Sequence, residues 1–376
     1  MELDKVRKEI DDIDSELLSL FLRRMDLGKK AMLEKKKCGK PVMDKSRERE
    51  ILKGVSEKSG EMSAYSHRMF KELLNLSRSY QNMIDEGETK ISENIKTSLQ
   101  DGAFPKNVSI ACQGIEGANS QMAADRLFPQ GNIFYFKSFE GVCDAVKSGL
   151  CDYGVLPVEN SSYGSVHATY EIMKNGSFSI VRSIKLCIRH ELLAKPRTKL
   201  SDIKEIISHE QAIGQCGRYL KTLGDKFKIS SCLNTAIAAK IASENEGVAA
   251  ISSPNCAELY GLAPVTNENI QDSDNNYTRF VCISAKPEIY PGANKISFIV
   301  SCRNDPGELY KLIAIMDTMD VNITKLESKP IIGRDFEFMF FIDIEAGVLE
   351  PGIIGMLEEI ERNSESFVFL GNYQEI

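Results

Sequence analysis

Apolar residues near the start of the chain recur on a seven-residue spacing, at Leu3, Val6, Ile10, Ile13, Leu17, Leu20, Leu27 and Ala31. No proline falls between residues 2 and 38 and Gly28 is the one turn signal, so the spacing predicts a single long amphipathic helix. The GKPVMD tract ends it and Asp44 stands where a second helix needs a cap. A third helix over about residues 62–85 carries Met69, Leu73, Leu76 and Tyr80 on one stripe. Fewer than ninety residues cannot enclose a helix of that length, so the first helix is expected to bury its seam against a partner chain.

Residues 86–107 lose the apolar period and gather polar and turn residues, which reads as a linker. From Val108 short apolar strands (VSIAC, NIFYF, YGVLPV, EIIS, GVAAIS, TRFVCIS) alternate with helical stretches such as SQMAADRLF, FEGVCDAVKSG and TAIAAKIASEN. That alternation predicts α/β sheets with ligand sites at strand C-terminal ends. After KPEIYPGAN the order strand, helix, strand, strand, helix, strand predicts a ferredoxin-like βαββαβ sandwich. The resulting boundaries are a helical domain over 1–86, a linker over 87–104, an α/β domain over 105–285 and a last unit over 292–376.

Composition narrows the partners. A chain of 376 residues with 42% hydrophobic content needs more than one core, as the three patterns require. The net charge of -7, from 47 basic and 54 acidic residues, offers no general attraction for phosphate backbones, so nucleic acid is not an expected partner. Ten cysteines without a CxxC pair read as reduced core thiols of a cytoplasmic protein. The MELDKVRKEIDDID start has no apolar leader and no run is long enough to cross a bilayer. Four histidines without paired Cys/His spacing give a zinc site no basis.

One position breaks the first helix's seam: Arg24 lies where an apolar residue belongs between Leu20 and Leu27. A buried guanidinium needs an anion, either an internal carboxylate or a bound acid. Lys35, eleven residues on and on the same face, can reach toward a shared anion. Ser77 and Gln81 form an i,i+4 polar pair beside the third helix's stripe, facing either water or a site. Arg7 in VRKEIDDIDSELLSLFLRR, Lys35, the tract DKSRERE with Asp44, Arg47 and Glu48, and LSRSYQ ending in Gln81 together resemble the all-helical chorismate mutase family over the whole first segment. The resemblance implies an all-α three-helix fold, an intertwined dimer and a pericyclic rearrangement that needs positioning and charge stabilisation rather than a nucleophile. It implies that Arg7 reaches into the partner subunit's site, that Arg24 and Arg47 hold carboxylates or the framework, and that Glu48 accepts from a substrate hydroxyl. Lys35 and Gln81 would donate to the ether oxygen, with Asp44 and Ser77 completing the binding set. Arginine forks match carboxylates, and a neutral amide at Gln81 donates at any pH.

Four loops of the α/β segment lie just past strands. ACQGIEGANSQMAA places Ser120 near a helix N-terminus, PVENSSYGSV holds Glu159, Asn160, Ser161 and Gly164, SHEQAIGQC holds Ser208, His209 and Gln211, and NYTRF holds Thr278, Arg279 and Phe280. Singly, each also has a structural reading as turn, helix cap, surface imidazole or ordinary strand residue. In their order and wording they resemble prephenate dehydratase over about residues 105–285, chiefly through the Thr-Arg-Phe and Glu-Asn-Ser tracts. The resemblance implies a bilobed α/β fold like type II periplasmic binding proteins, with Ser120, Asn160, Ser161, Gln211, Thr278, Arg279 and Phe280 at the substrate. Thr278 would assist departure of the ring hydroxyl as carbon dioxide leaves, and Glu159 would be a second proton-handling group.

The last unit resembles an ACT domain, an amino-acid-sensing fold, over about residues 294–376. That implies an effector between two such units, held by NDPGELY (Asn304, Asp305, Pro306, Gly307, Leu309) and LESKP (Leu326, Glu327, Ser328). Two residues depart from the pattern: Glu308 replaces a small residue, and Lys329 replaces an arginine and loses its planar fork. Together the resemblances imply conversion of chorismate through prephenate to phenylpyruvate under phenylalanine control, in a dimer or tetramer. No metal or organic cofactor is implied, because neither step is redox. An arogenate dehydratase with a fused mutase and a catalytically silent amino-acid-binding regulator are the alternatives, and the joint presence of Arg24, Lys35, Gln81 and Thr278 speaks against the second.

Overall fold

The computed structural model describes residues 2–39, 44–86, 89–174, 178–331 and 338–376. The chain forms two compact units: one reaches to Glu93 and includes Leu357–Arg362, and the other comprises Asn94–Met356 and Asn363–Ile376.

In the first unit the seven-residue spacing becomes α1 (Glu2–Lys37), which runs on through the Arg24 interruption. Helix α2 (Lys45–Lys58) starts where the Asp44 carboxylate accepts the Arg47 backbone N–H at 3.1 Å. A 3-10 turn (Gly60–Met62) leads into α3 (Ser63–Glu86). Helices α1 and α3 run side by side in the same direction, with Arg24 Nη1 donating to the Leu73 carbonyl at 3.1 Å and Gly28 facing Ser77 and Gln81. Met32 and Leu74 are buried, whereas Leu3, Val6, Ile10, Ile13, Leu17, Leu20 and Leu27 remain exposed in the single chain.

The segment 87–104, expected as a linker, instead carries α4 (Lys90–Ser98), with Ile91 and Ile95 buried. Two isoleucines four residues apart suffice for one short apolar stripe, too little to show as a period over a long window. Leu99 bridges to Ile289, and Phe104 packs with Phe128, Tyr153 and Tyr290. The GKPVMD break and the start of the EFMFFIDIE strand fall partly outside the described residues.

The α/β region follows in chain order. Its first lobe holds β1 (Ser109–Gln113), α5 (Asn119–Leu127), β2 (Asn132–Phe136), α6 (Phe139–Lys147), β3 (Tyr153–Asn160), β4 (Gly164–Ser165), α7 (His167–Met173) and β5 (Ser179–Cys187). The second lobe holds β6 (Glu191–Ala194), β7 (Glu205–Ser208), α8 (Glu210–Gln215), α9 (Gly217–Leu223), β8 (Lys228–Ser231), α10 (Thr235–Glu244), β9 (Val248–Ser252), α11 (Asn255–Tyr260) and β10 (Ala263–Pro264). The chain then returns to the first lobe as β11 (Tyr277–Ser284), which pairs antiparallel with both β3 and β5. The two crossings between lobes are tied together: the Ile188 N–H donates to the Asn276 carbonyl at 2.7 Å, and the His190 N–H donates to Gln271 Oε1 at 3.1 Å.

The last six elements are β12 (Lys295–Ser301), α12 (Glu308–Asp317), β13 (Asn322–Pro330), β14 (Phe338–Glu345), α13 (Ile353–Asn363) and β15 (Ser366–Glu375). Their strands pair antiparallel in the order β13-β14-β12-β15, which is the expected ferredoxin-like arrangement. Strand β15 continues past this module and pairs in parallel with β5 through Gln374 with Arg182 and Glu375 with Ser183. One sheet therefore runs from β13 through to β2, and Met173, Leu156 and Val281 share a buried core with Ile299, Phe341 and Tyr373. The second lobe has its own sheet, β10-β6-β9-β7-β8. Among the described residues no helix is long and apolar enough to cross a membrane, and all ten cysteines are free thiols.

Candidate active sites

The helical unit brings Gly28, Ser77 and Gln81 together. Ser77 and Gln81 lie on one face of α3, both buried, with Gln81 Nε2 donating to Ser77 Oγ at 2.9 Å. They can be covered because α1 presents a residue without a side chain. A Cβ on Gly28 would stand 2.9 Å from Ser77 Oγ and 3.1 Å from Gln81 Nε2. Arg24 lies one turn before Gly28 on α1, and its anchor is a backbone carbonyl rather than an internal carboxylate. Glu48 on α2 faces Arg78 of α3, with Nε to carboxylate 3.5 Å. Asp44 is engaged as the α2 cap, Arg47 pairs with Glu50 at 3.0 Å on the surface, and Arg7 lies exposed 3.9 Å from Asp4. Lys35 lies half-buried further along α1. Gly28 and Arg78 were not singled out from sequence as site residues. For Gly28 the informative signal is a lone glycine inside an otherwise strong helical period, which marks a close approach of another element.

The α/β region holds a cleft of about 450 Å³ between its lobes. Ser120, Asn160, Gln211, Thr278 and Phe280 line it, as do Gly164 and His209. The cleft's polar floor is a chain of amides. Asn160 Nδ2 donates to Thr278 Oγ1 and to Asn276 Oδ1, both at 2.9 Å. Asn276 and Gln215 exchange two amide hydrogen bonds of 3.1 and 3.2 Å, and His190 Nε2 lies 2.8 Å from Gln215 Oε1. Because Thr278 Oγ1 already accepts from Asn160, its own O–H is left to donate to a molecule in the cleft. Asn234, the cap of α10, accepts the Ile237 N–H through Oδ1, while its Nδ2 is buried at the cleft wall without a partner. Tyr163, from the turn after β3, reaches the second lobe where Gly214 leaves room for its hydroxyl; a Cβ there would overlap it.

Strand alternation corrects two expectations, and backbone hydrogen bonds correct a third. Glu159 and Arg279 are register partners on β3 and β11, one residue from Asn160 and Thr278, so they point to the opposite face of the sheet. Glu159 therefore lies outside the cleft lining, 3.5 Å from Lys325 and 3.9 Å from Arg279, and has no place as a proton-handling group there. Arg279 is likewise no substrate ligand: it is buried against Asp343 at 2.5 Å, Tyr373 at 2.6 Å and Glu375 at 3.0 Å, all from the βαββαβ module. Burial works against its charge, but these partners outweigh burial and raise its pKa further. Ser161 is spent on backbone, accepting the Tyr277 N–H and donating to the Asn275 carbonyl, each at 2.9 Å. Ser208 donates to the Ile251 carbonyl inside the second lobe.

Gln215, Asn276, His190 and Asn234 were missed in the sequence. Gln215 shares a helix face with Gln211, four residues earlier, and Asn276 precedes Thr278 by the two-residue period of a strand; either spacing could have found them. His190 and Asn234 carry no such local signal.

In the βαββαβ module a cavity of about 230 Å³ is lined by Asn304, Asp305, Gly307 and Leu309 together with Phe338 and Phe340. Pro306 lies exposed beside it. The LESKP tract divides by strand alternation: Leu326 and Ser328 are exposed, whereas Glu327 turns to the other face. There its carboxylate accepts from Ser165 and pairs with Lys325 at 3.3 Å, so Glu327 is placed against the cleft rim rather than in the loop cavity. Glu308 pairs with Lys311, and Lys329 lies over the Tyr170 ring at 5.3 Å.

A prephenate dehydratase family model matches residues 110–288, and a chorismate mutase type II model matches residues 6–82. A bifunctional chorismate mutase/prephenate dehydratase from Aquifex aeolicus is 29% identical over 379 residues, covering 99% of this chain and 98% of that protein. Arogenate dehydratase/prephenate dehydratase 2, chloroplastic, from Arabidopsis thaliana is 33% identical over 296 residues, 75% of this chain and 76% of its own length. The crystal structure of prephenate dehydratase in complex with L-Phe from Arthrobacter aurescens matches with a TM-score of 0.64 at 27% identity, covering 71% of this chain and 90% of that one.

Proposed function

Since the chain belongs to the prephenate dehydratase family and carries a chorismate mutase type II module ahead of that region, we propose that it converts chorismate to prephenate and prephenate to phenylpyruvate under phenylalanine control. The observation that carries the second step is the Thr278 hydroxyl, held as an acceptor by Asn160 with its proton free toward the cleft.

In that step the bond from the ring to its carboxylate breaks, and its electrons complete the aromatic ring as the hydroxyl leaves from the opposite carbon. Carbon dioxide departs, and the leaving hydroxyl takes up one proton from solvent to depart as water. A threonine is a weak acid, so Thr278 contributes chiefly a hydrogen bond that strengthens as negative charge gathers on the departing oxygen. The side-chain carboxylate fits the cleft wall where Ser120 and the unpartnered Asn234 amide stand at the starts of α5 and α10. In the helical unit Gln81, Lys35 and Arg24 serve the rearrangement, with Glu48 and Arg47 from α2. The exposed α1 seam supports an intertwined dimer in which Arg7 reaches the second copy's site.

The βαββαβ module reads as an ACT-type sensor, with the Asn304 to Leu309 loop as the amino-acid contact. Thr278→Ala tests the dehydratase assignment. Prephenate turnover is expected to fall about a hundredfold, the usual effect of losing one transition-state donor, while chorismate is still consumed. Turnover within a few-fold of the parent overturns it. The Arabidopsis relative's name favours arogenate as a second substrate to test, by comparing the two acids at equal concentration.

A further inference from the structure

Asn160 has the amide whose orientation the backbone dictates. Its Oδ1 accepts the N–H groups of Ser162 at 2.9 Å and Tyr163 at 3.1 Å, so its other atom must be the NH2 group. That group faces Asn276, which fixes Oδ1 of Asn276 as the acceptor there. Asn276 Oδ1 then takes Gln215 Nε2, which leaves Gln215 Oε1 facing His190 Nε2 at 2.8 Å. An amide oxygen cannot donate, so the ring nitrogen must. The order set by two backbone N–H groups thus reaches through three amides to a single histidine tautomer, with the proton on Nε2.

Two further observations define what this ring can do. His190 is 6% exposed, and its Nδ1 is buried with no partner. Burial lowers its pKa from the ordinary value, although the bond to Gln215 pulls the other way, so the neutral ring is the form present near pH 7. His190 itself lines the cleft, and its one hydrogen bond with another cleft-lining residue is with Gln215, so its hydrogen-bonded link to Thr278 runs through the amides. His190 also sits on one crossing between the lobes and Asn276 on the other, so the relay spans the point about which the lobes are joined.

We propose that His190 is a positioning residue for the dehydratase step: as the Nε2–H tautomer it tethers Gln215, and through Gln215 it seats the Asn276 amide that shares the Asn160 NH2 group with Thr278. The proposal rests on the reading of Thr278 as the hydroxyl that meets the leaving group. Without the imidazole donor, Gln215 keeps its two bonds to Asn276 but loses its tether to the first crossing between the lobes. The Gln215–Asn276 pair can then shift against Asn160, and the Thr278 hydroxyl that Asn160 holds shifts with it.

The test uses the full chain. The nitrogen-15 shifts and long-range proton couplings of the histidine rings are measured in the parent protein, where four histidines keep assignment simple. Dehydratase kinetics are then compared for His190→Leu and His190→Gln; glutamine places an N–H at the same number of bonds from Cα as the imidazole Nε2. The expected result is an Nε2–H ring at His190, kcat for His190→Leu lower by about tenfold or more at nearly unchanged KM, and kcat for His190→Gln within about threefold of the parent. An Nδ1–H ring overturns the proposal, and so does a His190→Gln variant as slow as His190→Leu, because the imidazole itself would then be required. If His190→Leu does not fold, the ring tautomer and His190→Gln decide. Failure of the Thr278 reading shows separately, as a Thr278→Ala protein that still turns over prephenate.

Discussion

Replacing Gly28 with alanine separates stability from catalysis in the helical unit. Within a helix, alanine is favoured over glycine by about 1 kcal/mol. Against this, the new Cβ would stand 2.9 Å from Ser77 Oγ and 3.1 Å from Gln81 Nε2, so both buried side chains must give way by several tenths of an ångström. The 2.9 Å bond between them is the natural casualty, and a bond of that kind contributes about 1 kcal/mol net. The two effects nearly cancel, and Gly28→Ala should unfold within about 1 kcal/mol of the parent. Mutase activity has no such compensation: a misplacement of ~1 Å can cost about a hundredfold, so the several tenths forced on Gln81 should cost about tenfold. Chorismate consumption and prephenate dehydration are followed on one preparation, with a denaturation curve alongside. The expected pattern is a mutase about tenfold slower, an unchanged dehydratase and an almost unmoved unfolding midpoint. Mutase activity within threefold of the parent refutes the placement of Gln81 at the reacting ether; a loss of several kcal/mol refutes the packing argument.

Other perturbations read other parts of the chain. The parent mutase should show no steep alkaline loss, since the Gln81 amide donates at every pH, whereas Gln81→Glu should lose activity as pH rises through its carboxyl pKa; identical pH profiles would remove Gln81 from the site. Arg279→Met leaves Asp343 without its guanidinium, and breaking a buried pair of this kind costs about 3–5 kcal/mol; because Lys295 still holds Glu375 at 2.5 Å, the lower end is expected from urea unfolding at neutral pH. Burial alone would raise the pKa of Glu375, but Lys295 and Arg279 override it and hold it at about 2, below the ordinary 4.5. A depressed carboxyl stabilises the fold above its unfolded pKa, so this contribution is full above about pH 4.5 and fades as pH falls toward about 2. Glu375→Gln should flatten that part of the acid-unfolding curve, and an unchanged curve would show that the carboxylate is not linked to folding.

The long helix was legible because a seven-residue period marks it, and the βαββαβ order because short apolar runs and helical stretches follow one another in that order along the sequence. The mixed sheet was not. Strand β5 carries apolar residues on both faces and connects onward to the second lobe rather than to a helix, so the alternation of strand and helix passes over it. The tracts that hold Asn160 and Thr278, which line the cleft, also hold Glu159 and Arg279, which do not. A motif read as a string groups neighbours in sequence, while a strand sends neighbours to opposite faces. The amide relay was illegible for a different reason: Asn160, His190, Gln215 and Asn276 come from four separate stretches of chain that only the crossings between lobes bring together.

The sheet that runs from β13 to β2 limits how this chain can be cut. Removing the module from residue 292 onward would strip β5 of its parallel neighbour and leave an open strand edge, a template for association with other chains. It would also take Asp343 and Glu375 from the buried Arg279 guanidinium and leave it only the more distant Glu159, at 3.9 Å, among the described residues. The βαββαβ module and the cleft thus share one sheet, and a fragment cut before residue 292 should prove sticky and hard to keep in solution.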